Sequence, residues 1–187
     1  PRTRGVGYQL SDELESEVSG GYEKRLRLNL DALKIRRDII DTSRAITNED
    51  REQLSKYTGW GGLSNIFSSH SGYNNNRTEL FRHLQTGEYD ELKRSVLTAF
   101  YTPPSITKAM WSAIEHFGFD GGKILDPSTG TGQYLGCAPN NIAQSSSFIG
   151  KEIEPVSANI AQYIYGKDCI HNEPYEKAKL PHNYFDL

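Results

Sequence analysis

The chain has 187 residues, of which 36% are hydrophobic and 24% charged, and its formal net charge is -3. That length suits one domain, or one domain with a helical extension, and its seven Phe, eleven Tyr and two Trp argue against wholesale disorder. No apolar run reaches the ~18 residues of a membrane span, and the N-terminus lacks a charged-then-apolar signal pattern, so a cytoplasmic protein with no membrane contact is expected. A strong nucleic-acid platform would carry a basic excess or stripe, and neither is visible. Cys137 and Cys169 lie far apart and read as reduced, semi-buried thiols.

Residues 1–28 read as a flexible arm, punctuated by Gly5, Gly7, Gly20 and Gly21, with acids preceding bases. Helical signals begin at Asn29, a candidate N-cap, followed by Leu30, Leu33, Ile39 and Ile40. Thr47 and Asp50 have the spacing of a capping box. The helix they open carries Leu54 and Tyr57 inward and stops at Gly59-Trp60-Gly61-Gly62. Residues 68–77 are a loop by composition, and helical patterns follow at about 78–85 and 89–98. Trp60 and Trp111 read as core anchors.

The pattern changes after Phe100. Thr102-Pro103-Pro104 breaks any preceding helix. Ile106, Met110, Ala113, Ile114 and Phe117 then mark the expected buried face of another. Lys123-Ile124-Leu125 is a short strand running into Asp126-Pro127-Ser128-Thr129-Gly130-Thr131-Gly132, with a helix start at Gln133. A second strand covers Ser147 to Glu154. Pro155 opens a helix as a first-turn proline, Cys169-Ile170 is a third strand, and Phe185-Asp186-Leu187 begins a fourth. Helices alternating with strands predict a parallel α/β sheet.

Asp126 to Gly132 occupies the place where open α/β sheets bind ligands, beyond the carboxyl end of a strand. Glycines there allow a tight turn and close approach of a ligand to the backbone, and a helix start offers free N–H groups. An acid closing the next strand, Glu152 or else Glu154, can accept both hydroxyls of a ribose. A nicotinamide dinucleotide would want a third glycine at position 135, which is Leu, and the P-loop pattern is absent. A leading Asp repels a pyrophosphate but suits a cationic amino-acid end. S-adenosylmethionine fits this set best. The histidines His70, His83, His116, His171 and His182 have no metal-ligand spacing.

These residues carry a resemblance. Phe100-Tyr-Thr-Pro-Pro, Ala-Met-Trp at 109–111, and Gly118 through Gly132 look like an N6-adenine DNA methyltransferase. More narrowly, with Tyr57-Thr-Gly-Trp-Gly-Gly-Leu63, the chain resembles the methyltransferase region of large helicase–methyltransferase proteins of phages, plasmids and conjugative elements. The resemblance covers about 29–187. It implies a helical segment at 29–98 and, at 99–187, the first half of a class I, Rossmann-like methyltransferase domain that binds S-adenosylmethionine. Thr102 and Pro103 would cup the methionine part of the cofactor. Asp126, Gly130 and Gly132 would form the glycine-turn motif, with Asp126 near the amino group. Glu152 would hold the ribose, Ile153 would pack on adenine, and Glu173 or Glu176 would meet the adenine amino group.

In this family an Asn-Pro-Pro-Tyr motif follows the strand that begins at Phe185, and it holds the flipped base. The sequence ends before it, and neither Pro139-Asn140-Asn141 nor Asn172-Glu173-Pro174 replaces it. No catalytic residue is therefore assigned, and DNA contact is expected only through regions outside this sequence. Two functions follow. One is the cofactor-binding part of an adenine-N6 DNA methyltransferase, incomplete for catalysis. The other is a truncated, methyltransferase-like binding module that inhibits another protein, as an anti-restriction or anti-CRISPR factor of a mobile element. Half a sheet should expose an unpaired edge strand and apolar faces, so self-association or a protein partner is expected.

Overall fold

The structure is a computed structural model describing residues 7–69 and 72–187; Gly5 and His70, singled out above, lie outside the described residues. The chain divides into two compact units. One is Ser16–Tyr101, and the other joins the described residues before Ser16 to Thr102–Leu187. A short helix, α1 (Leu14–Val18), spans their boundary in sequence.

The Ser16–Tyr101 unit is helical: α2 (Tyr22–Thr42), α3 (Asn48–Ser55), a 3-10 turn at Ser64–Phe67, α4 (Asn74–His83) and α5 (Glu88–Ser95). The Thr47–Asp50 capping box forms as expected. The Asp50 N–H donates to the Thr47 hydroxyl at 3.1 Å and the Thr47 N–H to Asp50 Oδ2 at 2.8 Å, satisfying two otherwise orphaned donors. Asn29 is not a cap. The helix begins at Tyr22, behind Gly21, so helical structure reaches into the segment expected to be a flexible arm. Asn29 is fully buried in mid-helix, where its Nδ2 donates to the Gly59 carbonyl at 2.7 Å and its Oδ1 accepts from the Thr58 N–H at 2.8 Å. The Tyr57–Leu63 loop is also held by Arg25, which donates to the Gly61 carbonyl at 2.7 Å. Its Trp60 is fully buried and donates to the Tyr57 hydroxyl at 2.7 Å. In this unit the glycine–tryptophan motif is a packing element.

The second unit is α/β. Its helices are α6 (Pro104–His116), α7 (Gln133–Gly136), α8 (Asn140–Ser145) and α9 (Pro155–Tyr165). Its strands are β1 (Lys123–Asp126), β2 (Ser147–Glu152) and β3 (Ile170–Asn172). The strands form a parallel sheet in the order β1-β2-β3, with Ile124 beside Phe148, Asp126 beside Gly150 and Lys151 beside His171. One face of the sheet builds the core. Ile124, Phe148 and Ile170 pack there with Trp111 of α6, Leu135 of α7, Ile142 of α8 and Ala161 of α9.

The residues expected to begin a fourth strand lie against the other edge of β1. The Leu187 N–H approaches the Lys123 carbonyl at 3.4 Å and the Leu125 N–H donates to the Leu187 carbonyl at 2.9 Å. That alternation is the parallel ladder pattern, so this segment pairs with the outer edge of β1. Lys123 clasps the same segment: its N–H donates to Asp186 Oδ2 at 2.8 Å, and its ammonium sits 4.2 Å from the Tyr184 ring centre.

Helix α6 also differs from expectation. It buries Pro104, Thr107 and Trp111, whereas Ile106, Met110 and Phe117 are exposed. The helix has two apolar stripes, and the one containing Trp111 faces the core, because the largest side chain buries the most area. The Trp111 indole N–H donates to the Tyr134 carbonyl at 2.9 Å. Among the described residues no helix is long and apolar enough to cross a membrane.

Candidate functional site

Strand β1 has β2 on one side and the Phe185–Leu187 segment on the other, so the strand order reverses about β1. The carboxyl end of such a strand opens onto the crevice where α/β sheets take ligands. Asp126 stands there. Its Oδ1 accepts from the Ser128 N–H at 3.2 Å, which turns the chain sharply, and the loop crosses above β2, where the Thr129 N–H donates to the Lys151 carbonyl at 2.9 Å. This crossing needs Gly150, whose Cβ would come within 3.0 Å of the Thr129 side chain. Gly130 and Gly132 hold left-handed conformations, with φ of 56° and 87°, and a Cβ on Gly132 would meet the Tyr165 ring at 2.3 Å.

Glu152 closes β2 beside this turn. Its Oε2 accepts from the Gly130 N–H and its Oε1 from the Glu154 N–H, both at 2.8 Å. The alternative acid, Glu154, is committed elsewhere. It caps α9, accepting from the Val156 and Ser157 N–H groups at 2.8 and 2.7 Å, directly before the first-turn Pro155. Asn172, ending β3, donates to the carbonyls of Glu152 and Ile153 at 2.8 and 3.1 Å, and the Ile153 side chain is exposed.

Burial raises the pKa of Asp126, offset in part by the Ser128 N–H and the Thr129 hydroxyl. Burial likewise raises Glu152, offset by the Glu154 and Gly130 N–H groups, with the Asp126 charge pushing the same way as burial. Three further side-chain atoms complete the picture. Asp126 Oδ2 and Gln133 Oε1 are buried acceptors with no partner of normal hydrogen-bond geometry among the described residues, and Thr129 Oγ1, a hydroxyl that can donate as well as accept, is buried beside Asp126. Buried acceptors without donors are costly, so this concavity asks for a ligand that donates. The N–H groups of Ser128, Thr129, Gly130 and Gly132 are all taken up within the protein, so these four offer a phosphate no donor. Helix α7 is a single turn, so the helix-start attraction for an anion expected from the sequence is weak.

The structure therefore brings together Asp126, Gly130, Gly132 and Glu152 and sets Ile153 at their edge. Thr102 and Pro103 stand at the start of α6, where the Pro103 carbonyl accepts from the Ile106 N–H at 3.0 Å; no hydrogen bond from either to the turn is found among the described residues. Glu173 is turned away, pairing with Lys151 on the opposite face of the sheet, and Glu176 sits exposed in the 3-10 turn Tyr175–Lys177. Neither is positioned as the resemblance implied. Thr129, Gln133 and Gly150 were not anticipated; Gly150, two residues before the strand-end acid, was the signal that something crosses there. Cys137 and Cys169 are free and buried. No cluster of metal-ligating side chains occurs among the described residues.

The set of carboxylates and orphaned acceptors suits S-adenosylmethionine in kind. Its ammonium and ribose hydroxyls are donors, and its sulfonium is a cation. Among curated proteins, the chain is similar to the Defense against restriction protein B of Escherichia phage P1, with 26% identity over 174 residues. The match covers 91% of this chain and both of its units, and 6% of that relative, so the chain spans a small part of the relative's length. No protein-family model matches, and no solved structure matches.

Proposed function

We propose that this chain belongs to an anti-restriction protein of a mobile element and acts through a protein partner. The observation that carries this reading is the similarity to the phage P1 Defense against restriction protein B, which runs through both units rather than through one motif. Exposed apolar side chains on α6 and at its C-terminal cap, Ile106, Met110 and Phe117, are compatible with a protein contact.

A second reading is favoured by the site itself. The acceptor-rich turn at the reversal point of the sheet supports a class I methyltransferase-like half-site for S-adenosylmethionine, with Asp126 toward the amino group, Glu152 toward the ribose and Ile153 against adenine. The two readings are compatible if the half-site serves an adenine-N6 methyltransferase activity completed outside this sequence.

The test is plasmid transfer into restricting and non-restricting hosts, with the complete natural gene intact, disrupted, or carrying Asp126→Ala. Protection against restriction by the intact gene, lost on disruption, is expected. Equal restriction with and without the gene overturns the anti-restriction reading. If Asp126→Ala removes both protection and adenine methylation of the transferred DNA, the cofactor site is part of the function. If protection survives with no adenine methylation, the chain works as a binding module and the methyltransferase reading fails.

A further inference from the structure

The face of the sheet opposite the helices carries a second site. Leu125, Ile149, Lys151 and His171 point to that face by register. Parallel sheets are usually covered on both faces, yet no α-helix occurs between β3 and the Phe185–Leu187 segment. The connection there is an extended return with the 3-10 turn Tyr175–Lys177. Between it and the sheet lies a cleft of about 580 Å³, large enough for a nucleotide-sized molecule.

Its polar wall is unusual. The Lys151 side chain is only 4% exposed, a rare state for an ammonium. It pairs with Glu173 and lies 2.9 Å from His171 Nδ1. An ammonium has three N–H donors, and no third acceptor for Lys151 is found among the described residues. Lys177 and Lys179 also line the cleft, without a carboxylate partner among the described residues. Glu173 balances Lys151, which leaves the cleft with two formal positive charges when His171 is neutral. Ile149, Leu180 and Phe185 supply an apolar floor.

We propose that this cleft binds a phosphate monoester carried on a flat or apolar body. A monoester holds about 1.5 to 2 negative charges at neutral pH, which matches the two unpaired lysines, and its oxygens supply the acceptor that Lys151 lacks. The chemistry is opposite to that of the Asp126–Glu152 site, which is built around two carboxylates, so the two sites would not compete for one ligand. The assignment is independent of the anti-restriction reading.

The test is titration of the isotope-labelled chain with uridine 5′-monophosphate, with uridine and the diester uridylyl-uridine as controls, followed residue by residue by NMR. Saturable shifts confined to 149–151, 171–173 and 177–185 are expected for the monoester, weakening as salt rises. Lys177→Gln with Lys179→Gln should lower affinity at least about tenfold. Glu173→Gln should raise it, an outcome that simple structural damage would not produce. The proposal is overturned if the monoester leaves these residues unshifted, if uridine or the diester binds as well, or if neither charge change alters affinity.

Discussion

The Gly130 N–H donates a 2.8 Å hydrogen bond to Oε2 of Glu152, so the strand-end acid of β2 holds the glycine turn that follows β1. Its other oxygen holds the Glu154 N–H at the same distance. Glu152→Ala releases both donors at once. Leaving buried N–H groups unpaired costs about 1–3 kcal/mol each, while relief of a buried charge returns part of that. The net change in global stability should be small, and the local change large. Amide hydrogen exchange at Gly130 and Glu154 should quicken by at least about tenfold relative to the β2 amides, since a tenfold change needs only about 1.4 kcal/mol. Unchanged protection at both amides would mean that the turn is held by something other than Glu152.

Asp126 should be a residue whose charge weakens the fold. Its carboxyl pKa is raised by burial above the ordinary value of 3.8, so the folded state favours the protonated form. The stability from this group is fully present below pH 3.8 and is lost as the pH rises through the raised folded value. At neutral pH the ionised group destabilises the protein. Asp126→Asn keeps the acceptor for Ser128 and removes the charge. It should stabilise the α/β unit by about 1 kcal/mol at pH 7, in the manner of ligand-site residues that trade stability for function. The gain should shrink as the pH falls toward 3.8. Thermal melts of both proteins across that range measure it, and a destabilised Asp126→Asn protein at pH 7 would contradict it.

Gly132 and Gly118 both have φ near +88° (87° and 89°), yet their surroundings differ. A Cβ on Gly132 meets the Tyr165 ring at 2.3 Å, while a Cβ on Gly118 meets nothing within 4 Å. Gly118→Ala should therefore cost only the backbone strain, about 1 kcal/mol. Gly132→Ala adds overpacking of a further ~1–3 kcal/mol. Chemical denaturation of the two variants, followed by Trp111 fluorescence, separates these terms. Equal losses would show that Tyr165 moves aside freely.

Much of the α/β unit was legible because its signals are local. A short apolar run after Gly121-Gly122 marked β1, alternation with Phe148, Ile149 and Ile153 apolar marked β2, Pro155 marked the start of α9, and the Asp126–Gly132 turn announced the reversal point. What sequence reading missed depends on partners far along the chain. Asn29 reads as a helix boundary because a mid-helix Asn normally lacks a partner. Here it has Thr58 and Gly59, which only the folded loop supplies. Glu152 and Glu154 are equivalent by position, and only the cap on α9 separates them. Helix α6 offered two apolar stripes, and the choice between them was made by the fit of Trp111 against Phe148, whose rings meet edge to face at 6.3 Å. The buried Thr129 hydroxyl and Gln133 side-chain carbonyl have no sequence signature, since Thr and Gln are ordinary residues in ordinary loops.

Arg36 and Glu88 form a buried ion pair in the helical unit, with side chains only 3% and 9% exposed. The pairing is two-pronged: Arg36 Nη2 meets Glu88 Oε1, and Nη1 lies 3.0 Å from Oε2. Glu88 Oε2 also accepts from the Gln85 N–H at 2.8 Å, so the carboxylate braces the start of α5 against α2. Removing one partner leaves the other charge buried and uncompensated, which costs about 3–5 kcal/mol. Arg36→Met should therefore destabilise the Ser16–Tyr101 unit by that amount, as should Glu88→Met, with an added loss from the unpaired Gln85 N–H. The double substitution leaves no buried charge and fills the space with apolar side chains, so it should recover most of the single-variant loss. Urea unfolding of the four proteins gives the coupling energy directly. A coupling near zero would mean that water reaches the pair and that packing around α2, rather than this bridge, fixes the position of α5.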